Sequence, residues 1–263
     1  MTGRHKVEEV LKKLLLSAPP DNALWKASEY LVFREEEFTS PVLDLGCGDG
    51  KFACVLFPKP IDFGIDIKRG RAKKAFGCGA YRFVIQADAC LLPFRNSCFR
   101  TVFSACVLEH IPRVDTVLEE VGRVLQPGGK FIFSVPSSRF KFYTLAPEAP
   151  PSCLLSSLRG SFTAIINCIL NMRHFYGPSR WRTMLHKAGM RLIRFRYILP
   201  PKALAFWAHS FFWGNALFPF LLLLYRTPIR GAILQALVAT LLPLIRKPIK
   251  DGGGLVLVAQ KMG

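Results

Sequence analysis

Between Val42 and Gly50 the chain reads VLDLGCGDG, with three glycines at alternate positions directly after a short apolar run, and it resumes as KFACVLF. Residues without a Cβ at that point let the backbone bend tightly and approach a ligand closely. Short β-type runs recur at SPVLDLG, IDFGIDI, YRFVIQAD, TVFSACV and GKFIFSVP, separated by helix-compatible stretches such as GKFACVLF and DTVLEEVGRVL. That alternation predicts an α/β chain with a parallel sheet covered by helices on both faces. In such sheets ligands sit beyond the carboxyl ends of the strands, which is where the glycine turn falls.

The spacing is GxGxG, not the GxGxxG that cradles a dinucleotide pyrophosphate. Its context adds to it. The second strand ends in GIDI, placing Asp66 about twenty residues beyond Gly46, where an acid accepts both hydroxyl protons of a ribose. After the third strand comes QADACLLPF, with Asp88 placed to accept a hydrogen bond from an adenine amino group. Together these residues predict an adenosine ligand.

Residues 40–136 resemble the class I S-adenosylmethionine-dependent methyltransferases, in particular the type 11-like small-molecule group. VLDLGCGDG, GIDI, ADACLLPF, VFSACVLEHIP and VGRVLQPGGKFIFSVP stand in that family's order and at its spacing. The resemblance implies a Rossmann-like seven-stranded methyltransferase sheet and S-adenosyl-L-methionine as cofactor. Carried over by position, it implies that Asp44, Gly46, Cys47, Gly48 and Gly50 surround the methionine part. Asp66, with Ile67 beside it, holds the ribose, and Asp88 with Ala89 reads the adenine. Ser104, Ala105 and Cys106 line the pocket at the end of the fourth strand. His110, in VLEHIP, is the candidate general base, against a purely structural reading of the same residue. Related quinone O-methyltransferases pair such a Glu and His with an earlier Glu to bind a divalent ion. Here Glu109 and His110 match but Cys106 stands at the earlier position, so no metal is predicted.

Of the net charge of +18, +14 lies from residue 149 onward, where Asp251 is the single acid. Such a surplus suits an anionic membrane surface or a nucleic acid. A hydrophobic content of 51% excludes a disordered chain. The first 22 residues predict an amphipathic helix and not a secretory signal. Eight cysteines without a CxxC pair predict free thiols.

Beyond residue 136 the resemblance thins. YGPSRWRTMLHKAGMRLIRFRYIL reads as the last helix and sixth strand, with Gly177-Pro178-Ser179 opening the helix and Gly189 ending it. DGGGLVLVAQK reads as the seventh strand, so about fifty residues form an apolar helical insertion between the last two strands. Within it Ala203 to Tyr225 carries no Lys, Arg, Asp or Glu and reaches ~34 Å as a helix. Gly231 to Ile245 is shorter. Arg226 and Arg230 between them disfavour two crossings. The pattern predicts a hairpin dipping into one leaflet, with Lys202, Arg226, Arg230, Arg246, Lys247 and Lys250 at anionic headgroups. A soluble helical lid and a spanning arrangement are the alternatives. A segment marked by Pro147, Pro150 and Pro151 predicts an acceptor cap, with Arg159, Arg173, His174 and Tyr176 as headgroup contacts.

The organisation expected is therefore a helical segment at 1–39, a cofactor-binding core at 40–136, a cap with the last helix and sixth strand at 137–199, a membrane-associating hairpin at 200–250 and a final strand at 251–263. The function expected is methyl transfer to a lipophilic acceptor such as a lipid, prenylated quinone-like molecule or glycolipid, at the cytoplasmic side of a membrane. An RNA or protein methyltransferase using the basic part for binding is the alternative. Nucleic acid ranks below membrane, because the aromatic residues of this part sit in a stretch without charge.

Overall fold

The computed structural model describes residues 3–140, 171–245 and 249–263. The proline-marked segment and the cap helix expected after it lie outside the described residues, as do Arg159, Arg246 and Lys247. Two helices, α1 (Gly3–Leu15) and α2 (Pro20–Phe33), precede β1 (Val42–Leu45), and from there strand and helix alternate as far as β3. The order is α3 (Lys51–Leu56), β2 (Ile61–Asp66), α4 (Arg69–Gly77), β3 (Tyr81–Gln86), β4 (Phe99–Ala105), a short 3-10 turn at Leu108–His110, α5 (Val114–Val124) and β5 (Leu125–Pro136). After residue 171 come α6 (Pro178–Lys187), β6 (Met190–Ile198), α7 (Pro201–Leu224), α8 (Arg230–Leu241) and β7 (Gly254–Lys261).

The seven strands form one sheet in the order β3-β2-β1-β4-β5-β7-β6. β1 runs parallel to both β2 and β4, and β3 and β5 extend the parallel set. Strand order therefore reverses at β1 and β4. The crevice beyond their carboxyl ends is the place where such a sheet opens for a ligand.

Two compact units divide the chain. The unit that contains most of the sheet comprises Phe33–Ser138, Asn171–Arg196 and Leu255–Gly263. Its core is rich in phenylalanine on both faces. On one face Phe103 meets Phe33, Phe38, Phe52 and Phe57. On the other, Phe63 meets Phe83, Phe94 and Phe99. Phe99 and Phe103 are four residues apart on one strand, so strict alternation would put both on the same face. Arg100 N and Thr101 N both donate to Pro41 O, at 3.0 and 3.3 Å, a bulge in β4 that breaks the alternation between Phe99 and Phe103.

The other unit comprises Met1–Val32, Arg139–Leu170 and Tyr197–Gly254. Val7, Val10, Leu11 and Leu14 recur at helical spacing and are buried, giving α1 one apolar face. α8 packs against α1 and buries Leu234, Val238 and Leu241, again on one face. The first half of α7 is also packed: Ala203, Leu204, Trp207 and Ala208 are buried. Trp207 meets Trp25 and Phe140 edge to face, with centroids 5.9 and 5.3 Å away. The chain leaves for α7 and returns at one point, where Gly253 N donates to Leu199 O at 2.8 Å.

α7 is bent by 90° between Pro201–Phe211 and Ala216–Leu224. Pro219 stands inside the helix and offers no N–H to the carbonyl of Asn215, while Gly214 lowers the cost of leaving helical geometry. Among the described residues no single helix is long and apolar enough to cross a membrane; the two halves of α7 together have the length and composition of a broken span or a re-entrant loop.

Candidate cofactor site and its rim

The glycine turn joins β1 to α3 at the switch point. Gly46, Gly48 and Gly50 all have positive φ, at 80°, 59° and 79°. The reasons differ from one to the next. A Cβ on Gly46 would stand 2.5 Å from a methyl of Val107, and one on Gly50 would stand 2.4 Å from Cys78 Sγ. A Cβ on Gly48 would meet nothing within 4 Å. The outer two glycines are therefore required by packing. Gly48 faces open space, where a ligand can approach the bare backbone.

Asp66, at the end of β2, holds this turn. Its Oδ2 accepts from Gly48 N at 3.0 Å and its Oδ1 from Lys68 N at 2.8 Å. An ionised carboxylate has about four acceptor positions, so two stay available to a ribose diol. Asp44 is buried below the turn, where Tyr81 donates its hydroxyl to Asp44 Oδ2 at 2.6 Å. Burial first, and then the Asp44 charge, push the Tyr81 phenol well above its ordinary range. Tyr81 also packs under Gly64. Cys47 is buried beside them, and burial followed by Asp44 and Asp66 pushes its thiol up. Asp44 and Cys47 thus form the floor of the turn, a role that the sequence motif alone does not separate from ligand contact.

Just beyond β3, Asp88 is exposed and its Oδ1 accepts from Cys90 N at 2.8 Å. Ala89 is buried, whereas Ile67 and Leu91 expose their side chains, giving apolar surfaces on either side of Asp88. The loop that follows is pinned by Arg123 of α5, which donates to the carbonyls of Leu92 and Phe94 and pairs with Glu120 at 2.7 Å. Glu120 in turn accepts from Leu92 N at 2.7 Å. The Arg123 hydrogen bond lowers the Glu120 carboxyl below its ordinary value. Nothing in the local sequence around Asp88 announces this clamp, because its partners lie about thirty residues away.

At the end of β4, Ser104 is fully buried and donates to Leu45 O at 2.9 Å, so its side chain ties β4 to β1. Cys106 adopts φ 57°, a left-handed conformation uncommon for a residue with a Cβ, and its N–H donates to Ser134 Oγ at 3.1 Å. That kink turns the chain so that Val107 covers Gly46. Glu109 is buried, and His110 Nε2 lies 3.8 Å from its Oε1 while His110 Nδ1 lies 3.3 Å from Asn171 O. Among the described residues no group of His, Cys, Asp and Glu is arranged to hold a metal ion.

The segment leading into α6 runs along the same loop. Arg173 N donates to Glu109 O at 2.7 Å. His174 Nε2 lies 2.8 Å from Ile111 O and its Nδ1 3.0 Å from the Tyr176 hydroxyl. The rim beyond β4 is therefore built from Cys106–Ile111 and from residues 171–176. The open glycine backbone, the two remaining acceptor positions of Asp66 and the exposed Asp88 carboxylate suit an adenosine ligand that carries an amino-acid tail, as S-adenosylmethionine does.

Residues 43–133 match the family profile described as a methyltransferase domain. Over 101 residues the chain is 34% identical to a sterol 4-C-methyltransferase of Caenorhabditis elegans, covering 34% of this chain and 29% of that protein. Over 161 residues it is 30% identical to a ubiquinone/menaquinone biosynthesis C-methyltransferase of Acidiphilium cryptum, covering 55% and 64%. The chain thus spans less than two thirds of the length of either relative. A solved structure from Thermotoga maritima, described as a S-adenosylmethionine-dependent methyltransferase and possible histamine N-methyltransferase, superposes with a TM-score of 0.57 at 15% identity. It covers 98% of this chain and 99% of its own, a likeness of fold. With the glycine turn, Asp66 and Asp88 in place on that fold, residues 43–133 carry the features of an S-adenosylmethionine-dependent methyltransferase domain.

Proposed function

We propose that this chain transfers a methyl group from S-adenosylmethionine to a lipophilic acceptor taken from a membrane, at its cytoplasmic surface. The observation that carries the reading is the second half of α7. Trp213 is 73% exposed, Leu217 57%, Phe220 61% and Leu223 57%, in a run without a charged side chain that ends at Arg226 and Arg230. Apolar side chains presented in this way next to arginines suit insertion among acyl chains with the cations at headgroups. The relatives named for sterol and ubiquinone or menaquinone methylation add support from the substrate side. When bound, the cofactor supplies a methyl group already activated on a sulfonium. The protein's own residues then have to hold the donor, exclude water and align the acceptor.

The alternative, an RNA or protein acceptor, draws on the basic surplus. Part of that surplus lies in β6, where Arg194 and Arg196 are paired with Glu36 and Glu35. Cations already paired within the protein contribute less to binding phosphates.

The test uses the whole chain with vesicles of phosphatidylcholine, with and without phosphatidylglycerol, at low and high salt. Donor carrying a labelled methyl group is then offered with a cell extract that is afterwards separated into lipid, RNA and protein. Salt-resistant vesicle binding and label in the lipid fraction are expected. Label in RNA or protein, or binding that vanishes at high salt, overturns the reading.

A further inference from the structure

Resting on the methyl-transfer reading, we infer that Tyr176 is a catalytic residue that takes the proton of a hydroxyl-bearing acceptor. His174 is its positioning residue and final proton store, and methylation falls on oxygen. The inference starts from the valence of the two side chains. Ile111 O can only accept, so the His174 nitrogen 2.8 Å from it, Nε2, carries the hydrogen. In a neutral imidazole Nδ1 is then a bare acceptor, and the Tyr176 hydroxyl 3.0 Å away donates to it. Both His174 nitrogens are thereby used, and His174 reaches outward only through the phenol oxygen. That oxygen has given its one proton to His174 and offers lone pairs, which fit a donor group and not a carbonyl.

The place fits the role. His174 and Arg173 are tied to Ile111 O and Glu109 O, four and two residues beyond Val107, which covers the first glycine of the cofactor turn. The Tyr176 ring is fixed by Trp181 edge to face at 5.7 Å and by the Arg180 guanidinium at 5.7 Å. Both side chains are half-buried, so the phenol is reachable. The charged and titratable groups around the pair are Arg180 on α6, Arg173 on its own segment, and Glu109 with His110 on the loop beyond β4. His110, by contrast, spends Nδ1 on Asn171 O and directs Nε2 toward the buried Glu109.

In the step, the acceptor oxygen forms its bond to the methyl carbon as the carbon–sulfur bond breaks, and the sulfur keeps the electron pair as a neutral thioether. The acceptor proton passes to the Tyr176 oxygen while the Tyr176 proton passes to His174 Nδ1. The sulfonium charge lost is matched by the imidazolium formed. Ile111 O stabilises that imidazolium.

Wild type, Tyr176→Phe and His174→Gln are compared in three measurements. Calorimetric binding of S-adenosylhomocysteine is expected to be unchanged in both variants. Label transfer into a total lipid extract is expected to fall at least ~100-fold in kcat for Tyr176→Phe, the usual weight of a general base. The fall in wild-type rate toward acid pH is expected to disappear in the residual activity of His174→Gln. Nitrogen-15 spectra of histidine-labelled wild type are expected to show His174 protonated on Nε2 and bare on Nδ1 near neutral pH. Cleavage of the labelled product by hydriodic acid releases the methyl from an ether and is expected to do so here.

Variant rates within threefold of wild type, a hydrogen on Nδ1, loss of donor affinity in parallel with rate, or label that resists hydriodic acid each overturn the dyad while leaving methyl transfer standing. Wild type that binds S-adenosylhomocysteine but labels no lipid overturns the acceptor reading, and the dyad with it.

Discussion

The hydroxyl of Tyr81 donates to Asp44 Oδ2 at 2.6 Å in the interior directly beneath the glycine turn, joining the first residue of β3 to the third of β1 across β2. The acid of the VLDLG motif is thereby a buried support. Tyr81→Phe removes the donor from a buried charged acceptor and is expected to destabilise the fold by about 1–3 kcal/mol. The pH dependence has a definite sign. The phenol ionises near 10.0 when unfolded and higher when folded, so the folded state binds more protons above that point. Its contribution is full below pH 10 and is lost as pH rises further. Denaturation measured across alkaline pH is expected to show a steeper loss for wild type than for Tyr81→Phe.

Gly46 and Gly48 separate the packing role of the turn from its binding role. Gly48→Ala bears only the left-handed backbone cost, about 1–2 kcal/mol. It is expected to fold with a modestly lowered melting temperature while losing most of its donor affinity. Gly46→Ala adds the collision with Val107 and is expected to cost about 2–5 kcal/mol. Thermal melts beside S-adenosylhomocysteine titrations check both.

Asp66 serves the turn and the ligand with the same carboxylate. Asp66→Asn gives up the charge and one of the two acceptors that Gly48 N and Lys68 N use, and at about 1.5–3 kcal/mol for hydrogen bonds to a charged group it is expected to weaken S-adenosylhomocysteine binding roughly ten- to hundredfold and to loosen the turn. Titration calorimetry reads this directly.

The two tryptophans of α7 predict opposite phenotypes. Trp207 is buried against Trp25 and Phe140, and Trp207→Ala is expected to cost about 3–5 kcal/mol of stability. Trp213 is exposed, and Trp213→Ser is expected to change stability by no more than about 0.5 kcal/mol while weakening vesicle binding. Melts and vesicle sedimentation on the same samples decide it.

Cys54 is expected to react slowly. Although the residue as a whole is exposed, desolvation at its sulfur, and then the hydrogen bond with Cys78, push its thiol up to about 12, so little thiolate is present at about pH 8. Alkylation by iodoacetamide followed by mass spectrometry is expected to be at least ~100-fold slower at Cys54 than at a free cysteine, since only the thiolate reacts.

The strand-and-helix order of the core was legible because glycines and short apolar runs punctuate it, and the set Gly46, Gly48, Gly50, Asp66 and Asp88 occupies one crevice because each follows a strand of the same parallel set. What was not legible depends on partners far along the chain. Tyr81 gives no local sign that it serves Asp44, thirty-seven residues earlier. The clamp of Arg123 on the loop after Asp88 and the link of His174 to Ile111 are of the same kind. The uncharged run of Ala203–Tyr225 reads as one continuous segment, yet its first half packs inside and its second half turns out by 90°. Hydropathy registers composition, and the division arises from which residues meet Trp25 and Phe140.

Gly253 N and Leu199 O meet at 2.8 Å, so the chain between them leaves and returns through one pair of adjacent backbone groups. A loop whose ends already touch imposes almost no geometric demand on what it encloses, and its closure entropy grows only slowly with length. Within the α7–α8 stretch, the outward half of α7 is therefore the exchangeable part, since Trp207 and α8 are packed against Trp25, Phe140 and α1. Its outward side chains can be exchanged without altering that closure or the residues of the glycine turn.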